Sequence, residues 1–187
     1  MSGGLNSAFL TAMRGNATQI PYLRNNIFAS QPQINAAGGQ RIVNLSASIS
    51  GIEVRTAPTN RSTFSNAFNA WWLPNNQNAA AAITVGTVGA DIIFTPALTG
   101  CILEINGNTI THHDGNSPTR IAAALLQLGG AGVVGQRRWD NDGIGAGFYA
   151  SFVVGVRRNG AWQFYQQSYN YNQVGQGILP AVQVTQI

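Results

Sequence analysis

The sequence predicts an α+β fold: mixed or antiparallel β-sheets, sandwich-like, with two or three flanking helices. Three observations carry that expectation. Two Asn-Gly pairs, Asn106-Gly107 and Asn159-Gly160, each separate two runs of strand-forming residues, and Asn-Gly accepts the positive φ angles of a two-residue type I′ hairpin turn. Helical spacing of apolar residues recurs only three times along the 187 residues. Strands and helices do not alternate in the regular order that builds a parallel α/β sheet.

In chain order, Leu5, Phe9, Ala12 and Met13 have helical spacing, and Gly15-Asn16 ends that helix. Residues Gln31 to Gln40 contain Pro32, Gly38 and Gly39 and read as loop. From Arg41 to Thr56 the pattern is β-like, anchored by Ile42, Ile49, Ile52 and Val54, with Gly51 as a bend or bulge and Pro58 as the end. Ser62 caps a predicted helix from Thr63 to Leu73, with Phe64, Phe68 and Trp71 or Trp72 on one face and Pro74 as its stop. Ile83 to Val88 and Ile92 to Phe94 read as strands separated by Gly89. Ser117 and Pro118 open a third helix, with Ile121, Leu125 and Leu128 as its buried stripe and Gly129 as its end. Phe148 to Arg158 and Ala161 to Tyr171 form the second hairpin, and Ile178 to Ile187 supplies a last strand. One domain spanning residues 1–187 accommodates all of this.

Composition narrows the function classes. Charged residues make up 9% of the chain, against roughly a quarter in an average globular protein, while Asn and Gln together supply 33 residues. Solubility therefore rests on amides. The net charge of +4 comes from ten arginines and no lysine; genomic bias accounts for this, or residence in a eukaryotic cytosol where lysine-directed modification is escaped. Only Arg137-Arg138 and Arg157-Arg158 are adjacent, which argues against a nucleic-acid partner. A lone cysteine excludes a disulfide framework and a cysteine-based zinc site. No stretch approaches the roughly 18 to 20 apolar residues of a membrane span, and Met1 to Thr11 lacks a signal-peptide pattern, so export would follow a route that leaves the chain unprocessed.

The chemistry concentrates between Ile92 and Asn116, which hold the only cysteine and both histidines. With Asn106 and Gly107 as the loop residues, Leu103 faces Ile110 and Cys101 faces His112; Cys101, Leu103, Ile105, Ile110 and His112 then share one side of the hairpin. A three-residue loop from Asn106 to Asn108 puts His113 opposite the cysteine instead. Either way a thiol meets an imidazole, the pairing that converts a cysteine into a nucleophile. The tight turn Leu98-Thr99-Gly100 before Cys101 would expose backbone N–H groups to an oxyanion.

The run Leu98-Thr99-Gly100-Cys101, followed by a strand and then a histidine, resembles the Leu-(Ser/Thr)-Gly-Cys motif of the bacterial toxin deamidases that include cytotoxic necrotizing factor and Burkholderia lethal factor. The match covers about Phe94 to Asn116. The resemblance implies a secreted effector that acts in the target-cell cytoplasm on a protein substrate, hydrolysing a glutamine side chain without cofactor or metal. Cys101 would be the nucleophile, His112 or His113 the general base and acid, Thr95 the group that orients the histidine, and the backbone around Thr99 and Gly100 the oxyanion site. The histidine lies closer to the cysteine here than the family's spacing has it. An amine reaching the thioester before water would give transglutamination.

Other patterns carry less. His112-His113-Asp114 looks like a metal set, yet successive strand residues point to opposite faces. Gly130 to Gly135 matches GxGxxG but follows a helix where a nucleotide-binding loop follows a strand. Asp140 and Asp142 read as a surface loop, and Arg137 and Arg138 as substrate contacts or solvated charge. The same Cys-His pair would also serve a cysteine protease or amidase. A non-catalytic β-rich binding or structural protein with Cys101 in its core would suit the amide-rich composition. A monomer is expected in each case.

Overall fold

The computed structural model describes residues 2–28, 38–48, 51–57, 66–76, 79–86, 89–96, 98, 101–114, 133–135, 149–170 and 182–187. Two helices, α1 (Ser2–Arg14) and α2 (Gln19–Asn25), precede eleven strands: β1 (Gly39–Ser48), β2 (Gly51–Ala57), β3 (Phe68–Trp72), β4 (Ala80–Thr84), β5 (Ile92–Phe94), β6 (Ile102–Asn106), β7 (Thr109–His113), β8 (Val133–Gly135), β9 (Tyr149–Arg158), β10 (Ala161–Asn170) and β11 (Gln183–Gln186). Seven strands form one sheet in the order β11-β10-β9-β5-β3-β1-β2, and four form another in the order β4-β7-β6-β8. All pairs are antiparallel except β3 with β5, so the large sheet is mixed. The α+β sandwich expected from the sequence is the fold observed.

Period-two alternation in the large sheet sorts its side chains onto two buried faces. Trp72, Ile92, Phe94, Phe152, Val154, Val156 and Tyr165 pack with Phe9, Met13 and Leu23 of the helices. Their immediate neighbours Trp71, Ile93, Val153 and Phe164 point the other way and pack with Ile83, Leu103, Ile105 and Ile110 of the small sheet. The layers are therefore helices, large sheet, small sheet. Gly155 makes the second contact possible: it pairs with Phe164, and a Cβ there would lie 2.7 Å from the Phe164 ring.

Helix α1 buries the expected stripe and ends where Gly15 N–H donates to the Thr11 carbonyl. Its last carbonyls are satisfied by side chains, since the Gln19 amide donates to Met13 and Gly15 and the Thr18 hydroxyl donates to Ala12. The Gln167 amide of β10 likewise donates to the Leu23 and Asn26 carbonyls at the end of α2. A buried Asn6–Asn44 hydrogen bond of 2.8 Å ties α1 to β1. No helix among the described residues is long and apolar enough to cross a membrane.

Three expectations change, and one helix is additional. The Thr63–Leu73 helix is a strand from Phe68 onward, because two Trp in a short aromatic run suit a strand paired on both edges, with Trp72 buried on one face and Trp71 half-buried on the other. The Arg41–Thr56 segment is a hairpin, with Ser48 paired to Gly51. Gly51 has φ +118°, and a Cβ there would collide with the Ile27 carbonyl oxygen. Helix α2 carries no signal in the sequence reading. The hairpin at the only cysteine has a different register, described below. The helix expected from Pro118 lies outside the described residues, as do Ser62, Phe64, Pro58, Arg137, Arg138, Asp140 and Asp142. Val133–Gly135, part of the glycine-rich run, forms the strand β8 against β6.

Candidate functional site

Hairpin β6–β7 turns at Gly107-Asn108, one residue later than the expected Asn106-Gly107 loop, and Asn106 pairs with Thr109. Gly107 has φ +58°, whereas Asn108 is not among the residues of positive φ. Glycine in the first loop position with a negative φ after it is the pattern of a type II′ turn. Leu103 consequently faces His112, and Ile102 faces His113. The expected Cys101–His112 pairing, and the alternative Cys101–His113 pairing, are both replaced. The register moves by two residues, so every side chain keeps its face.

That conservation of face decides which histidine accompanies the thiol. Cys101 packs with Leu98, Leu103, Ile110 and Val153 between the sheets and is 7% exposed. His112 stands on this side, flanked across the sheet by Leu103 and Ala81, and its residue surface is fully buried. Cys101 precedes β6 by one residue, which makes it the diagonal neighbour of His112, a relation with Cα atoms about 7–8 Å apart. His113 occupies the opposite face, where its Nε2 lies 2.9 Å from Glu104 Oε2. The structure thus brings His112 and Cys101 into one layer and separates His113 from them.

The surroundings of His112 set its protonation. Nδ1 lies 3.2 Å from the Pro74 carbonyl oxygen, an acceptor only, so Nδ1 carries the proton and donates it there. Nε2 is then a lone pair, buried and without a hydrogen-bond partner. Burial pushes the pKa of His112 below the ordinary 6.5; the Pro74 hydrogen bond and nearby Asp114 oppose that shift and His113 adds to it, but burial is the largest influence. The imidazole is neutral at pH 7. Because Nε2 makes no hydrogen bond, the thiol is not bonded to it in this structure.

Thr95 also reaches the inter-sheet layer, but its hydroxyl donates to the Pro96 carbonyl at 3.0 Å and accepts from the Val153 N–H at 3.2 Å. It bonds to neither histidine. The acceptor that orients His112 is the backbone of Pro74, and no motif in the sequence points to it. Thr99 and Gly100 lie outside the described residues. Three further polar residues missed in the sequence share the layer: Ser151 and Ser168 are hydrogen-bonded at 3.1 Å and Gln166 donates to Ser151 at 2.8 Å. They are recognisable in retrospect, since Ser151, Gln166 and Ser168 share the alternation phase of Val153 and Phe164. Ser151 exchanges backbone hydrogen bonds with Leu98, three residues before the thiol. Among the described residues no group of three or more His, Cys, Asp or Glu is placed to hold a metal ion.

Beside this layer the sandwich opens. A cavity of about 580 Å³ lies against β4, with Gly38, Gly39, Trp71 and Pro74 as its other principal walls. Pro74 therefore faces the cavity and anchors His112. No protein-family model matches the chain, and no curated protein matches it.

Proposed function

We propose that the chain is a glutamine amidohydrolase, an exported effector that deamidates a protein in its target cell, with Cys101 as nucleophile and His112 as base. The observation that carries this reading is the unpartnered Nε2 lone pair of a neutral, buried imidazole on the face that holds the only thiol. A general base needs that protonation state at neutral pH and a fixed tautomer. The Pro74 carbonyl supplies the fixing.

In the proposed reaction His112 Nε2 takes the thiol proton as Sγ of Cys101 forms a bond to the carboxamide carbon. The tetrahedral oxyanion collapses, the C–N bond breaks, and His112 returns the proton to the departing ammonia. Water, deprotonated by the same nitrogen, hydrolyses the thioester to glutamate and restores the thiol. Lysine-free composition supports action inside a eukaryotic cytosol, because no side-chain amine is present for ubiquitin to modify. The Leu98-Thr99-Gly100-Cys101 resemblance supports the choice of a side-chain amide over a peptide bond.

Alkylation of Cys101 by iodoacetamide tests the pair. The rate is expected to fall on acidification below pH 6.5, as His112 takes up its proton, and His112→Ala is expected to remove that limb while His113→Ala leaves it. A thiol inert in the native protein would refute the pair. Intact-mass spectrometry of a glutamine-containing target then reads the reaction: a gain of about one dalton with an unbroken chain marks amide hydrolysis through a thioester. Chain cleavage would identify a protease instead.

A further inference from the structure

Among the described residues five buried side-chain polar atoms have no hydrogen-bond partner: Tyr22 OH, Arg41 Nε, Trp72 Nε1, Asn75 Oδ1 and His112 Nε2. Arg41 Nε and Trp72 Nε1 are donors, and a tyrosine hydroxyl acts either way. The two that can only accept are Asn75 Oδ1 and, with Nδ1 protonated, His112 Nε2. Both belong to one place in the fold.

Pro74 links them. Its carbonyl takes the Nδ1 proton of His112 at 3.2 Å, and Asn75 is the next residue. No peptide bond among the described residues is cis. A planar trans peptide sets the Cα of Asn75 about 2.8 Å from that carbonyl oxygen, and so no more than about 6 Å from the imidazole nitrogen bonded to it. The segment is held on both sides: Leu73 N–H donates to the Phe94 carbonyl, and Ala79 N–H donates to that of Asn76. Two acceptors cannot bond to each other, and each costs free energy until a donor reaches it. Pro74 and Asn76, on either side of Asn75, line the cavity of about 580 Å³, as does Ala81, the cross-strand neighbour of His112.

We infer that Asn75 Oδ1 and His112 Nε2 together form the seat for a primary carboxamide, with one N–H of the substrate glutamine donated to each. The seat brings the amide nitrogen to the atom that returns the thiol proton to it as the C–N bond breaks, so the group held is the group that leaves. Cys101, the diagonal neighbour of His112 in the same layer, shares that histidine with the seat. Water also carries two hydrogens and takes the same place for hydrolysis of the thioester. A backbone amide has one N–H and satisfies one acceptor only. Asn75 therefore selects a side-chain carboxamide over a peptide bond. The inference rests on the proposed deamidase activity for the identity of the occupant, and on the two unpartnered acceptors for the seat itself.

The probe is N-acetylglutamine N-methylamide, compared with its side-chain N,N-dimethyl analogue, which has no side-chain N–H. Binding is read by NMR in the intact Cys101→Ala chain, which cannot turn the compound over, with isotope-labelled imidazole nitrogens. The glutamine compound is expected to move the His112 Nε2 resonance toward that of a hydrogen-bonded nitrogen and to leave His113, on the opposite face, unmoved; the dimethyl analogue should move neither. Asn75→Leu, added to this chain, is expected to raise the concentration needed for half-saturation by ~10-fold, the weight of one hydrogen bond to a buried acceptor. Asn75→Asp keeps an acceptor and adds a charge, so the pKa of His112 should rise, because a carboxylate near the ring favours the imidazolium. No movement of Nε2, equal movement by the dimethyl analogue, an unchanged titration in Asn75→Leu, or an unmoved His112 pKa in Asn75→Asp overturns the inference. Conversion to glutamate by the chain with Cys101 intact is followed separately by mass. Seating without conversion sinks the deamidase reading and leaves the seat standing, whereas conversion at the same rate with Asn75 and with Asn75→Leu does the reverse.

Discussion

The two faces of the seven-stranded sheet are built from the same strands and have different chemistry. Toward the helices the sheet presents an aromatic layer in which Phe94 lies between Phe9, Phe28, Phe68 and Phe152, with ring centroids 5.3 to 6.5 Å apart. Toward the small sheet it presents Thr95, Ser151, Gln166 and Ser168 among aliphatic neighbours, and the small sheet answers with Cys101 and His112. Buried polar groups cost free energy unless they are hydrogen-bonded. On this second face each of the serines, Gln166 and Thr95 is satisfied locally, while Nε2 of His112 is left without a partner, as are the Trp72 indole N–H and the Tyr22 hydroxyl on the helix side. The difference separates an aromatic face from a face that carries a buried thiol and a buried imidazole in one layer.

The contrast is testable from the largest effect downward. Phe94→Ala should destabilise the protein by about 3–5 kcal/mol in chemical denaturation, the range for deleting a buried ring, without changing the pH profile of Cys101 alkylation in the folded protein. A changed profile would show that the two faces are coupled. Gly155→Ala drives a methyl group into Phe164 and should cost about 1–3 kcal/mol. If it also alters thiol alkylation, the inter-sheet spacing controls the candidate site.

The third prediction concerns pH. Burial lowers the folded-state pKa of His112 below 6.5, so below that pH the unfolded chain binds a proton that the folded chain resists. Stability from this group is complete above pH 6.5 and is lost as the pH falls through the lowered folded-state pKa, with a slope of at most about 1.4 kcal/mol per pH unit. Denaturation midpoints measured between pH 7 and 5 should show that loss in the wild type, and His112→Gln should flatten it. Equal slopes in both proteins would mean that His112 is charged in the fold. The smallest effect is expected for Thr95→Val, about 1 kcal/mol for loss of the hydroxyl that accepts from Val153, with no shift in the alkylation profile. A shift would restore Thr95 as a positioning residue for the histidine.

The two hairpins show how much of the fold the sequence made legible. Asn159 and Gly160 form the turn expected of them, with φ of 50° and 81°, and Arg158 pairs with Ala161 as the reading required. Asn106-Gly107 carries the same dipeptide, yet the turn slides to Gly107-Asn108. Gly107 is flanked by asparagine on both sides, whereas Ala161 follows Gly160; Gly-Asn is itself a hairpin signal. The shifted register places Ile110 between Ile83 and Ile105, a cross-strand packing that no local rule evaluates. Period two preserved the face, so the thiol and one histidine remained legible as a pair even though their level was wrong.

Other misses have the same origin in distant contacts. Phe68–Trp72 matches helical and strand spacing equally well in isolation, and it is β1 and β5 that make it a strand. Helix α2 has seven residues and contains Pro21 in its first turn, where the missing N–H needs no partner, so its local signal is short and interrupted. The Pro74 carbonyl reaches His112 across 38 positions, and a backbone acceptor leaves no trace in residue type.

The strand order has a kinetic consequence. The chain enters the large sheet with β1 to β3, leaves for the small sheet at β4, returns at β5, leaves again for β6 to β8, and returns for β9 to β11. Strand β5 sits between β3 and β9, and β9 is supplied only after the small sheet has been threaded. Neither sheet can be completed before the other has begun. Loop closure over such separations must be met before its contacts contribute, so folding is expected on the millisecond-to-second scale of non-local β topologies. A chain emerging from synthesis carries β5 with one open edge until β9 arrives, which makes that interval the one in which pairing with a neighbouring molecule competes with folding.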